Sequence, residues 1–415
     1  MRSVSLIVVV LWHWAFTILR WSPDGPMPTS PLGFFSGLWI FTWLLQVMPM
    51  FFYVGGYVHL VSWRRARARG ESLARYVRHQ IRRLVVPAGA LVLIWTAFGV
   101  TAASLSNLRW IRGAVLLIIS PLWFLAVYVV LLAVLPVSLW LHRKFDVVVL
   151  VWLGGVALGA DVVRFRYGVD EAGWVNMIAV WGLAHQAGFF HRRLVDAPRR
   201  WGHALLWTGL FALAGLVFSG LYPGSMVGVP GDRLSNMGPP TFVIVALLTF
   251  QIGFAEVTRP FFERRLARPR WRRFIGLLDR YALPLFLFHT TGMALAKACV
   301  YFVFGDGVSD DRPPDLIWWL QRPIAVLGSL ACTLPFLVLF GGRRTRGARR
   351  EDLRPSTAGG AKRTVNDVRP RAHEWPRGAA WRKGGTHACT NRGLARHQRA
   401  GRRKAGSAWP DHRSP

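Results

Sequence analysis

Arg2 and His13 are the residues of this sequence whose types and spacing best suit chemistry. Eleven residues at 100° each return a helix to within ~20° of its starting face, three turns along. The rise over that stretch is ~16 Å, about half the thickness of a hydrocarbon core. On one helix, a cation at headgroup level therefore shares a face with an imidazole near mid-depth. Imidazole titrates close to neutrality, which suits a general base taking a proton from a hydroxyl. The competing reading is a neutral histidine satisfied by a neighbouring helix. His289, inside another apolar run, either helps position the acceptor or donor or is a core histidine. Arg78, Arg82 and Arg83 crowd the entrance to an apolar segment. Guanidiniums there suit phosphate groups through charge-assisted bonds, or serve only as anchors at a membrane surface.

Holding such residues at that depth requires a particular kind of chain. Of 415 residues, 53% are hydrophobic and only 17% charged, against about a quarter charged in an ordinary soluble protein. The 21 tryptophans suit membrane–water interfaces. Apolar windows fall near 4–20, 34–62, 84–104, 113–140, 146–161, 174–190, 203–222, 240–257, 275–304 and 317–340. This pattern predicts an all-α membrane protein of about ten transmembrane helices in a multi-pass cell-membrane location. Pro49 and Pro121 are expected kink points. No internal repeat of fixed period appears.

Charge orders the spans. The stretches 63–83, 141–145, 191–202 and 259–274 hold 21 Lys and Arg together. The alternate stretches 20–33, 105–112, 162–173, 223–239 and 305–323 hold 8. Basic loops face the cytoplasm, so both termini are expected there. No small-x-small cleavage site follows Leu11–Arg20, so the first span is expected to be retained. The net charge of +32 is uneven. Residues 343–415 carry 20 Lys and Arg against 5 Asp and Glu, leaving +17 for residues 1–342. Basic loops between apolar spans indicate a bilayer partner and no nucleic acid. The division is a membrane domain over 1–342 and a basic tail over 343–415, too poor in large aliphatics to fold. Cys299, Cys332 and Cys389 have no metal-ligand spacing, and no metal is expected.

Lesser signals are weaker. His191 and Asp196 have a His-four-residues-Asp spacing, read as coincidence in so short a loop. Glu256 stands near Arg259, as a charge stabiliser or simply its partner. The segment from Arg233 to Thr241 is either a Pro/Gly turn or a border of acceptor access.

A resemblance gathers these observations. The opening Arg2-Ser-Val-Ser-Leu-Ile-Val-Val-Val-Leu-Trp-His13 resembles the start of the acyltransferase 3 family of membrane O-acyltransferases. Met48-Pro-Met-Phe-Phe-Tyr-Val-Gly-Gly-Tyr57 is similar to a second family stretch, with Gly55 where the family often has Ser. The basic helix entrance ending at Leu84 and Pro87, the Pro121-Leu-Trp-Phe-Leu125 block and Leu283-Pro-Leu-Phe-Leu-Phe-His289 follow in family order. The family's Asp-x-Leu-Arg lead-in is shortened to Met1-Arg2, as a misplaced start codon or a trimmed gene would give. The resemblance implies transfer of an acyl group, acetyl first among candidates, from acyl-CoA to a hydroxyl of a cell-envelope sugar or glycolipid, without a further cofactor. It implies His13 as base, Arg2, Arg78, Arg82 and Arg83 on the donor phosphates, and His289 positioning donor or acceptor. The rival is a transporter or flippase of an envelope lipid, in which both histidines would couple protons.

Overall fold

The computed structural model describes residues 2–22, 25–35, 37–106, 110–229, 232, 234–304 and 314–341. The proposed tail over 343–415 lies outside the described residues.

The chain opens with α1 (Arg2–Phe16), followed by an antiparallel hairpin of β1 (Ile18–Ser22) and β2 (Gly25–Thr29) in which Ile18 pairs with Thr29. Short turns lead through α2 (Thr42–Leu45) into α3 (Met48–Ala68) and α4 (Leu73–Ser106). Next come α5 (Trp110–Ile119), α6 (Trp123–Ala133), α7 (Leu135–Phe145) and α8 (Val148–Tyr167). The rest is α9 (Asn176–Gly188), α10 (His191–Val195), α11 (Arg200–Phe218), α12 (Val243–Leu266), α13 (Pro269–Phe304) and α14 (Leu316–Gly341).

The regular elements among the described residues are helical apart from that one hairpin. Among the described residues, eight helical stretches are long and apolar enough to cross a membrane, not ten. The other two predicted spans contain α1 and α9, of 15 and 13 residues, against ~20 for a full crossing. Hydropathy counts apolar residues whether or not the backbone stays helical. In the first of these spans the helix stops at Phe16 and Ile18 enters the hairpin. In the second, protein encloses most of α9, so apolar residues stand on most of its faces, with Ala179 and Trp181 buried beside His185.

Pro49 kinks nothing, since it lies in the first turn of α3, where no helical N–H is missed. Pro121 does break its span, in a 3₁₀ turn at Ser120–Leu122 between α5 and α6. The four basic stretches become helix ends joined by tight turns at one end of the bundle. There Leu60, Tyr76, Leu139 and Phe189 share one buried cluster, and Arg193 Nη1 reaches both Asp146 carboxylate oxygens at 2.7 and 2.8 Å.

Glycine sets how closely the helices pack. A Cβ on Gly56 would lie 1.8 Å from the His185 carbonyl oxygen, and one on Gly188 only 2.0 Å from that of Tyr53. Thus α3 and α9 touch backbone to backbone, as small residues permit in membrane helices. Gly209 and Gly253 do the same for α11 against α12, and Gly292 brings α13 onto Thr333 of α14.

Candidate active site

α1 is unbroken from Arg2 to Phe16, so His13 stands on the helix that Arg2 begins. The Arg2 side chain lies outside what the structure describes. Trp14 Nε1 donates to the His289 carbonyl oxygen at 2.9 Å, and Val10 and Trp14 pack with Met293. These contacts fix α1 on α13 and bring the two histidines together. His13 Nδ1 lies 2.7 Å from His289 Nε2, with ring planes within 6° of each other.

The hydrogen-bond pattern assigns the protons. His289 Nδ1 is 2.5 Å from the Phe286 carbonyl oxygen, which can only accept. His289 therefore carries its proton on Nδ1, and its Nε2 is an acceptor. His13 must then donate from Nδ1, which leaves a lone pair on His13 Nε2. His13 is half-buried and lines a cavity; His289 is fully buried behind it. Only the first of the pair can meet a substrate. His289 was expected to position donor or acceptor; in the structure its ring meets His13 and the Phe286 carbonyl.

The cavity is about 580 Å³. Its walls include Trp12, Trp123 and Trp174 beside the polar Thr17, Gln46 and Ser120. Phe124 and Phe286 also line it, packed edge to face at 4.4 Å, with Phe51 behind Phe124. Thr29, Ser30, Ser235 and Met237 lie at the end opposite the basic turns. The segment singled out as a border of access thus contributes Ser235, Met237 and Gly238, while Arg233 lies outside the described residues.

Polar staples hold these irregular walls. Gln46 Nε2 donates to the Met226 carbonyl at 3.1 Å, and Gln251 Nε2 to those of Trp43 and Gln46 at 3.0 and 2.8 Å. Asp161 is buried and accepts from Asn176 Nδ2 at 2.8 Å, Tyr222 Oη at 2.9 Å and the Phe242 backbone N–H at 2.6 Å. One carboxylate thereby ties α8, α9, the loop after α11 and the start of α12. Its position within an apolar run was a signal available in the sequence.

A second buried polar group, likewise within apolar runs, was also not singled out from the sequence. His59 Nδ1 is 2.9 Å from His185 Nε2, and Tyr128 Oη is 2.8 Å from His59 Nε2. Gly55 belongs to this group, because a Cβ there would lie 2.8 Å from Tyr128 Cε2. The side chain that the resemblance puts at this position is replaced by the tyrosine ring.

Arg78, Arg82 and Arg83 are exposed and line one groove of about 550 Å³ at the start of α4, with Arg75 and His79. The structure brings these three together, and brings His13 to His289, but no described cavity joins the two groups. His191 faces Tyr53 Oη at 3.0 Å, at the basic end of the bundle. Burial, with the Arg259 and Arg192 guanidiniums, holds its pKa below the ordinary value. Its 3.9 Å approach to Glu256 is therefore not a pairing of full charges, and Arg259, 3.3 Å from Glu256, is the carboxylate's partner.

A family model described as an acyltransferase domain, Acyl_transf_3, matches residues 1–338. No curated protein and no solved structure matches the chain.

Proposed function

Since the chain belongs to the acyltransferase 3 family and is an integral membrane acyl-transfer enzyme, we propose that it moves an acyl group from acyl-CoA to a hydroxyl of a cell-envelope sugar or glycolipid, with His13 as general base. The observation that carries this reading is the relay from Phe286 through His289 to His13, ending on a lone pair beside a cavity.

In this mechanism the acceptor hydroxyl lies in the cavity within reach of His13 Nε2. As the nitrogen takes the proton, the oxygen attacks the thioester carbonyl. An ester C–O bond forms, the C–S bond breaks, and the proton passes from His13 to the departing thiolate. His289 accepts from His13 Nδ1 throughout, holding the ring in the tautomer that leaves Nε2 basic. The tryptophan faces and uncharged hydroxyls on the cavity wall suit a sugar ring.

Arg78, Arg82 and Arg83 bind the donor phosphates at the basic end, and Arg2 marks the start of the path from there to His13. Acetyl is the first candidate for the group transferred. Ten traverses with both termini cytoplasmic remain the topology: α1 and α9 complete theirs through the irregular segments beside them, which are tolerated at membrane depth where they line a cavity. Transport without chemistry would use the same two histidines for proton coupling, but the family match favours acyl transfer.

The test is label transfer from acyl-CoA to envelope lipid or polysaccharide in membranes. His13→Ala is expected to lower turnover ~10²–10⁴-fold, the range for losing a general base, with acyl-CoA binding retained. Near-normal turnover would remove His13 from the chemistry.

A further inference from the structure

Between α4, α13 and α14 runs a second cavity of about 490 Å³ that the chemistry at His13 does not use. Leu91 and Leu287 form its buried floor. One wall is aromatic, with Phe288 stacked on Phe336 and on Phe340 at 4.9 Å in both cases. The rim is open: Ile94 is 64% exposed and Phe340 45%. Its mouth carries Arg83 and Pro87, which it shares with the basic groove. At the far end Trp95 Nε1 donates to Thr291 Oγ1 at 3.0 Å, so the polar groups there satisfy each other.

The cavity is therefore amphiphilic along its length, cationic at one end and hydrocarbon beyond. Arg83 to Trp95 is twelve residues of α4, a rise of ~18 Å. Half of a ~30 Å hydrocarbon core is ~15 Å, so the groove runs the depth of one leaflet. Pro87 has no N–H for the Arg83 carbonyl. A hydrogen-bond acceptor and a guanidinium thus lie at the same level, where a lipid headgroup presents hydroxyls and phosphate.

We propose that this groove binds one anionic phospholipid of the leaflet at the basic end, its phosphate on Arg83 and one acyl chain along Leu91, Leu287 and Phe288. The acyl chain of the donor is a poorer occupant. Leu287, Phe288 and Thr291 face the groove while His289 contacts α1, so α13 itself would separate that chain from His13.

The experiment is native mass spectrometry of the full chain in mild detergent, titrated with phosphatidylglycerol and with phosphatidylcholine. The wild type should retain one phosphatidylglycerol in preference to phosphatidylcholine. Arg83→Gln should weaken that retention about five-fold, the loss of one interfacial cation. Ala90→Trp fills the groove from an exposed helix position and should abolish it. His13→Ala should retain the lipid as the wild type does, whatever becomes of its turnover. Equal retention of both lipids, or unchanged retention in Ala90→Trp, would overturn the proposal. Displacement of phosphatidylglycerol by a long-chain acyl-CoA but not by acetyl-CoA, which competes for Arg83 without a long chain, would overturn it too, and assign the groove to the donor.

Discussion

His13 Nδ1 and His289 Nε2 stand 2.7 Å apart, joined across 276 residues of chain. The second ring has no exposed surface, so in the proposed mechanism it would act only through the first. His289→Ala should lower kcat about 10²-fold, the cost of misplacing a reacting group by ~1 Å, with KM for acyl-CoA unchanged. His289→Gln keeps an acceptor for the His13 N–H and should recover part of the loss. Steady-state kinetics on both variants checks this; a change confined to KM would return His289 to substrate binding.

Arg2 begins the helix that carries His13. As a donor-phosphate residue it contributes binding in the ground state, so Arg2→Ala should raise the apparent KM for acyl-CoA and leave kcat near normal. Arg2→Lys should restore part of the affinity, because the charge survives while the guanidinium fork does not. Loss of kcat alone would place Arg2 in the chemical step.

The 21-to-8 asymmetry of Lys and Arg between alternate connections predicts the orientation. Reporter fusions after residues 170 and 310 should report the outside, and one after residue 198 the inside. A reversal at any of the three would break the ten-traverse topology.

The contact between α3 and α9 has no room for a methyl group. Gly188→Ala drives a Cβ onto the Tyr53 carbonyl and should destabilise the fold by ~1–3 kcal/mol, the usual cost of overpacking. Gly155→Ala, where a Cβ meets open space, should be neutral. Thermal aggregation midpoints in detergent compare the two, and equal midpoints would refute the close-packing argument.

Truncation after Arg350 removes most of the basic tail. Membrane insertion and acyl transfer should survive. Loss of transfer in a normally expressed truncation would reveal a function in that segment.

Much of the candidate site's geometry was legible because its parts are local. The Arg2–His13 spacing is a property of one helix, and α1 is that helix. The arginines of α4 stand within two turns of one another and share a groove. What the sequence concealed was long-range or irregular. Nothing near His13 points to residue 289, and nothing near His59 points to His185, 126 residues on. The hairpin was hidden because Ile18–Ser22 continues the apolar run of α1, while Pro26 and Pro28 argue against a strand and are tolerated only on an edge. The two short helices were counted as full spans because hydropathy does not record where a buried backbone leaves the helix.

The glycine contacts also divide the molecule mechanically. Gly56 and Gly188 clamp α3 to α9, and Gly209 and Gly253 clamp α11 to α12. On the other side Gly292 fastens α13 to α14, and the Trp14 bond fastens α1 to α13. Touching backbones resist sliding within α3–α9 and α11–α12, so relative motion is expected first along the seam between those pairs and the α1–α13–α14 group, where side chains such as Phe124 and Phe286 meet. Both members of the histidine relay ride on the α1–α13–α14 group, whereas Gln46, Met48 and Met177 of the cavity wall belong to the other. Widening the cavity along that seam would carry the relay as one piece, keeping its proton arrangement intact while the distance to the opposite wall changes.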